Sequence, residues 1–286
     1  MSRRLLGLRR PITDTQIKCL VSDLDGTLVD ILDLVWRSHY EVLTRTLEAH
    51  GLRHLAPRTL RQFIHGHKPY LGKGPHAELT FAIDLYAPGL IEAQGIEADE
   101  LVKLLNEIQD ELAPMYLTAF DGLHEFLLAL GRRRMSLAIL TSGIPSFVIR
   151  SFAYALRADV GVADLYDRPG TSDDEKLNEL IDAVTEYYSL QQLVILTRLD
   201  VTKSKPSPEG AQKALSLLGC EPSEAAFLGD HHSDMRAARG AKILRCIAIR
   251  HHRRKALCSA RQLRKAGATH IVHTFTQARR HIGCLA

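Results

Sequence analysis

Two hydrophobic rhythms alternate along the chain. Short apolar runs stand at Cys19–Ser22, Ser136–Leu140, Leu193–Leu196, Ala225–Leu228, Arg245–Ile249 and His270–Val272, the length and character of buried strands. Between them, apolar positions recur every three or four residues. That spacing predicts helices over Leu123 to Leu130, Ser146 to about Leu156, Gly210 to Leu218, about Met235 to Arg239, and near Ala256 to Ala266. Strands alternating with helices predict an α/β fold with a doubly wound parallel sheet and right-handed crossovers. One block breaks the alternation. From Ile31 to about Leu117 the period is helical throughout, as in Leu32-Val35-Trp36-Tyr40-Leu43-Leu47 and Leu101-Leu104-Leu105-Ile108-Leu112, with breaks at Pro57, Lys68–Pro75, Pro88-Gly89 and Pro114. It reads as an α-helical module inserted after the first strand. The expected domains are a basic lead-in (1–10), a discontinuous α/β core (11–31 and 118–286) and the inserted helical module (32–117), hinged near Val29–Ile31 and Leu117–Gly122.

The strongly polar clusters follow the strands. Asp23 and Asp25 come after the first, Thr141-Ser142-Gly143 after the second, Lys203 and Lys205 after the third, and Asp230 and Asp234 after the fourth. In a parallel sheet these ends face one way, and ligands bind there. Taken singly, each cluster has an ordinary explanation. Asp230 and Asp234 could cap a helix, Lys205 could be a solvated loop lysine, and Thr141-Ser142-Gly143 could be a turn. Taken together they suit phosphoryl transfer, which asks for positioning and charge stabilisation. Asp23 would attack phosphorus, and Asp25 would protonate the leaving oxygen and then deprotonate water. Thr141 and Ser142 with Lys205 would bind the phosphoryl group. Asp23, Asp230 and the main-chain carbonyl of Asp25 would hold Mg²⁺, with Asp234 anchoring metal-bound water.

The run Asp23-Leu24-Asp25-Gly26-Thr27, the strand-end Thr141, Lys205-Pro206 and Gly229-Asp230 followed by Asp234 resemble, in that order, the motifs of the haloacid dehalogenase-like superfamily. The helical insert resembles the family's C1-type cap, which places the chain beside phosphoglycolate phosphatase-like proteins. The resemblance implies a Mg²⁺-dependent phosphatase that hydrolyses a small phosphomonoester through an aspartyl-phosphate, with the same residue roles. A phosphoglucomutase-type sugar-phosphate mutase, or a weakly active binding module, is the alternative. Asp25 favours phosphate chemistry over dehalogenation, because relatives that cleave carbon–halogen bonds lack the second acid. Phe63 to Lys68 falls where relatives carry a Gly-containing cap loop facing the active site, so His67 and Lys68 are candidates for specificity. His65 and His67 show no third metal ligand in the sequence. The stretch of about 160–192, ahead of the Lys205 loop, is longer than the resemblance implies. Its second half, Leu177-Leu180-Ile181-Val184-Tyr187-Tyr188, has the period of an amphipathic helix.

Composition adds limits. Across 286 residues, 45% hydrophobic and 24% charged content is that of an ordinary globular protein. No apolar run is long enough to span a bilayer, and Arg9, Arg10 and Asp14 break any secretory signal. The five cysteines are scattered without a Cys-x-x-Cys pair, which argues against a disulfide framework and for a reducing cytoplasm. Cys19 and Cys246 are expected to pack as small hydrophobes. A net charge of +4 suits an anionic metabolite. The expected partner is therefore a small phosphorylated metabolite, with no membrane or nucleic acid, for a monomer or homodimer. The basic segment Arg250 to Lys255 reads as a solvated loop.

Overall fold

The computed structural model describes residues 16–70, 74–251 and 257–284. The expected lead-in, Lys73 and residues 252–255 of the basic segment lie outside them. In chain order, β1 (Cys19–Ser22) is followed by the two-residue strand β2 (Val29–Asp30). Five helices come next: α1 (Leu32–Ala49), α2 (Leu60–His67), α3 (Pro75–Tyr86), α4 (Leu90–Gln94) and α5 (Ala98–Tyr116). Then come β3 (Thr118–Ala119), α6 (Leu123–Arg132), β4 (Ser136–Leu140), α7 (Pro145–Val160) and α8 (Asp173–Tyr188). They lead into β5 (Gln192–Leu196), α9 (Glu209–Leu217), β6 (Ala225–Gly229) and α10 (His232–Gly240). The remaining elements are β7 (Arg245–Ile249), α11 (Ala260–Ala266), β8 (His270–Val272) and α12 (Phe275–His281). No described helix is long and apolar enough to cross a membrane.

The chain divides into two compact units. The first, comprising residues up to 28, 120–149 and 158–286, is built on a six-stranded sheet of order β5-β4-β1-β6-β7-β8. Every pairing in it is parallel. The α/β expectation holds, with the six strands within a residue of their predicted positions. The strands β1, β4 and β6 are buried along their whole length, which explains continuous apolar runs in place of alternation. From β1 the chain moves outward through β4 to β5, then returns to the other flank at β6. That reversal makes the carboxyl ends around β1 a topological switch point.

The long stretch before β5 supplies a layer of this core. A capping box at Ser172 and Glu175 starts α8, and Leu180, Val184 and Tyr188 are buried where the helix packs on β5 and α6. Gly131 permits the α6–α8 approach, because a Cβ there would lie 1.6 Å from the Tyr188 carbonyl oxygen. Cys19 departs from expectation. Its sulfur is bonded to Cys220, 201 residues away and 6.7 Å distant between Cα atoms. Strand β1 brings it beside the turn after α9, a neighbourhood that spacing along the chain does not reveal. The bonded pair also removes the ground on which a reducing compartment was expected.

The second unit, residues 29–119 with 150–157, packs its helices around Trp36, Leu43, Phe63, Ile83, Leu101 and Ile108. It begins and ends two or three residues outside the expected limits, because β2 and β3 pair antiparallel. Residues 150–157 join it in part through Arg150. That side chain pairs with Asp110 and donates to Gln109 Oε1 at 2.7 Å. The expected cap loop is helical: α2 continues through Gly66 to His67. Period 3.6 then sends neighbouring side chains different ways. His67 is fully buried beside Phe63, Trp36 and Phe81, whereas Lys68 is exposed. An exposed, substrate-facing His67 is therefore corrected by the fold.

Two stability tests follow from this packing. Gly131→Ala should destabilise the protein by about 1–3 kcal/mol, because a methyl group there overpacks a backbone contact; chemical denaturation of both forms reads it out. The rings of His270 and His281 meet at a tilt, with centroids 4.0 Å apart. Burial first holds both below the ordinary histidine value of 6.5, aided at His270 by His281 and nearby arginines and at His281 by Arg245 and Arg280. The unfolded chain then binds more protons, so stability should fall as pH drops through 6.5. In His270→Asn/His281→Asn that decline should be shallower, as measured by Tm between pH 7.5 and 5.5.

Candidate active site

Four strand ends build one cluster. Backbone bonds extend the ladder past the strands, with Asp23 N donating to Leu228 O at 2.9 Å and Thr141 N to Leu196 O at 3.0 Å. Asp23 thus sits at the end of β1, buried. One carboxylate oxygen accepts from Lys205 Nζ, and the other accepts from Thr27 Oγ1 at 3.0 Å. Lys205 Nζ also donates to Leu140 O at 3.0 Å and pairs with Asp234 Oδ1 at 2.8 Å. Asp234 Oδ2 in turn accepts from His231 N at 2.9 Å, completing the capping box of α10. Capping and site-building, weighed as alternatives for Asp234, coincide in one side chain. Thr141 Oγ1 donates to Asp25 Oδ2 at 3.1 Å and accepts from Gly143 N at 2.9 Å. Ser142 is exposed in the same turn and takes no part in this network among the described residues.

Gly26 answers two demands at once. Its φ is +79°, and an added Cβ would stand 2.7 Å from Asp230 Oδ2. A side chain there would be strained and would displace the carboxylate. Oxygens of Asp23, Asp230 and Asp234 lie within 4.8 Å of one another.

Negative charge exceeds positive charge in this cluster. Burial pushes the Asp23 carboxyl up to about 7, opposed by Lys205 and reinforced by Asp234 and Asp25. Burial, then Asp23 and Asp234, also hold Asp230 well above the carboxylate range. Burial works against the Lys205 charge, but Asp23 and Asp234 outweigh it and keep that pKa above the lysine range. Among the described residues, three convergent carboxylates answered by the Lys205 ammonium make a donor set suited to a hard divalent cation, so the residues present fit Mg²⁺.

Two supports escaped the sequence reading. Thr27 lies inside the first motif but had no assigned role. His251, read as part of a basic loop, bonds Thr27 O through Nε2 at 2.9 Å while its ring stacks on Phe120 with centroids 3.8 Å apart. Nothing local marks a contact that spans 224 positions. In the helical unit, Lys68 lines a hollow of about 480 Å³ with Arg61, Gln62, Ile64 and His65.

Known proteins resemble this chain in sequence and in fold. The sequence profile of the haloacid dehalogenase-like hydrolases matches residues 17–242. Pyrophosphatase PpaX of Bacillus velezensis is 25% identical over 233 residues, covering 80% of this chain and 82% of that protein. Among solved structures, a hydrolase from Pseudomonas syringae aligns with TM-score 0.57 and 19% identity over 94% of this chain and 98% of that one. CbbY from Rhodobacter sphaeroides, in complex with phosphate, aligns with TM-score 0.56 and 19% identity over 91% and 95%. The profile spans the inserted helices as well as the four strand ends, and with it the chain belongs to the haloacid dehalogenase-like hydrolases.

Proposed function

We propose that this hydrolase cleaves a small phosphomonoester through a phosphorylated Asp23, with Mg²⁺ held by Asp23, Asp230, Asp234 and the main-chain carbonyl of Asp25. The observation that carries the reading is the buried contact of Lys205 with both Asp23 and Asp234 at the end of β1. It sets a positive charge where an anionic phosphoryl group would approach an anionic nucleophile. Mg²⁺ bound there would supply the further positive charge that keeps Asp23 ionised.

The chain's own groups then divide the work. An Asp23 carboxylate oxygen attacks phosphorus, and the bond from phosphorus to the ester oxygen breaks. Asp25 gives its proton to that departing oxygen, while the hydroxyl of Thr141 orients the Asp25 carboxyl. Asp25, now ionised, takes a proton from water as the water oxygen attacks phosphorus. The bond from phosphorus to Asp23 breaks, and inorganic phosphate leaves. Lys68, exposed on the helical unit, is the cap residue proposed to select among leaving groups. Since a relative is named a pyrophosphatase, inorganic pyrophosphate belongs beside phosphomonoesters among the substrates to assay.

The test is phosphate release from such a panel with Mg²⁺. Turnover should vanish in EDTA and return with added Mg²⁺; undiminished turnover in EDTA would contradict the metal assignment. Asp23→Asn should be inactive. Asp25→Asn should lose about 10²–10⁴-fold in rate, most of it in dephosphorylation. With p-nitrophenyl phosphate, whose leaving group needs little protonation, Asp25→Asn should accumulate one phosphoryl group in intact-protein mass after acid quench. Label on any residue other than Asp23 would overturn the mechanism.

A further inference from the structure

The interior of the helical unit holds a cluster that phosphate chemistry does not use. His39 on α1, His67 at the end of α2 and Glu78 on α3 are 3%, 0% and 5% exposed. Their donor atoms lie within 4.8 Å of one another. Neither ring nitrogen of His67 has a hydrogen-bond partner among the described residues, and both are buried. Leaving a buried polar atom unmatched is destabilising, and this ring has two. Its neighbours, Phe63, Trp36 and Phe81, offer no hydrogen-bond acceptor that would balance them. An apolar side chain of similar shape would fill the space without that cost.

His39 is already oriented. Its Nδ1 lies 2.8 Å from the carbonyl oxygen of Val35, which fixes the proton on Nδ1 and turns the lone pair of Nε2 into the cluster. That is the arrangement by which metal-bound histidines are held. Nε2 lies 3.1 Å from Glu78 Oε2, and Glu78 Oε1 accepts from Gly74 N at 3.1 Å, which orients the carboxylate as well. A His39–Glu78 pair accounts for two of the three residues. It leaves His67 unexplained.

We propose that His39 Nε2, a ring nitrogen of His67 and Glu78 Oε2 bind a first-row divalent cation of the Zn²⁺ type, which ties α1, α2 and α3 together inside the helical unit. Two imidazoles and one carboxylate suit Zn²⁺, whereas Mg²⁺ prefers an all-oxygen shell. Bonds of about 2.0–2.2 Å place ligand atoms about 3.3 Å apart in a tetrahedral site. The farthest pair would have to close by at most about 1.5 Å, within reach of side-chain rotation. Burial holds the His67 imidazole down at about 4, so the ring is neutral at pH 7, the form that ligates. The site is internal and serves stability. The proposal stands whether or not Asp23 is a nucleophile.

The test uses the purified full-length chain, stripped with chelator and kept in excess Mg²⁺ so that the strand-end carboxylates are occupied. Zn²⁺ is added and the metal content measured after gel filtration. Wild type should retain one equivalent, and so should Asp230→Asn, which places the ion away from the active-site carboxylates. His67→Gln should bind at least about 100-fold more weakly, since even outer partners of a metal ligand are worth 10–100-fold. At 100 times the dissociation constant, Zn²⁺ should raise the wild-type Tm by about 5–10 °C and that of His67→Gln far less. X-ray absorption on the Zn²⁺-loaded wild type keeps the question decidable if the variant fails to fold, because nitrogen must appear in the shell. No Zn²⁺ retained by wild type, equal retention by His67→Gln, or an all-oxygen shell would each overturn the proposal.

Discussion

The ammonium of Lys205 is the constraint around which the strand ends are arranged. Removing an ion from water is tolerable only when partners replace the hydration it loses. Lys205 is 8% exposed and finds its replacements on three elements: Asp23 beyond β1, Asp234 in α10 and the carbonyl of Leu140 at the end of β4. The relation is mutual, since each carboxylate would be an uncompensated buried charge without it. Positions distant in sequence are thereby held to one register by charge balance, and the sheet supplies the framework that makes the register possible. The balance is also incomplete. Among the described residues Asp230 has no comparable cation of its own, and burial, then Asp23 and Asp234, hold its carboxyl well above the usual range.

Much of this architecture was legible because its signals are local. A four- or five-residue apolar run followed by Gly, Asp or Thr marks a strand and its end, whatever lies elsewhere in the chain. Parallel topology then brings such ends together without further information, so Asp23, Thr141, Lys205 and Asp230 could be grouped before any distance was known. Lys203 and Lys205 both stand in the loop after the third strand, and of the two only Lys205 precedes a proline. The structure sets Lys205 on Asp23, while Lys203 lies exposed with its backbone N–H on Glu209. Periodicity likewise exposed the helical block and the amphipathic face of α8, though not that this face belongs to the core.

The features that stayed hidden are contacts between residues far apart in the chain. Gly131 resembles a helix terminator until Tyr188 is placed against it. His251 resembles any residue of a basic loop until its bond to Thr27 is seen. His67 illustrates the limit most clearly. The sequence offers His65 and His67 as a pair two residues apart, but in a helix those side chains diverge. The histidine that does approach His67 is His39, twenty-eight residues earlier on another helix. Local spacing suggested the wrong partner because helix packing, not proximity along the chain, decides which imidazoles meet.

The bond between Cys19 and Cys220 closes a covalent ring through most of the polypeptide, including every residue from 29 to 119. A protease that cuts once within that ring opens it without dividing the molecule. The two pieces stay joined until a reductant acts, so a nicked chain would migrate at full mass on a non-reducing gel and as two fragments on a reducing one. Cleavage in an exposed stretch of the helical unit could thus pass unnoticed by size alone, while the strand carrying Asp23 remained tethered to the turn after α9.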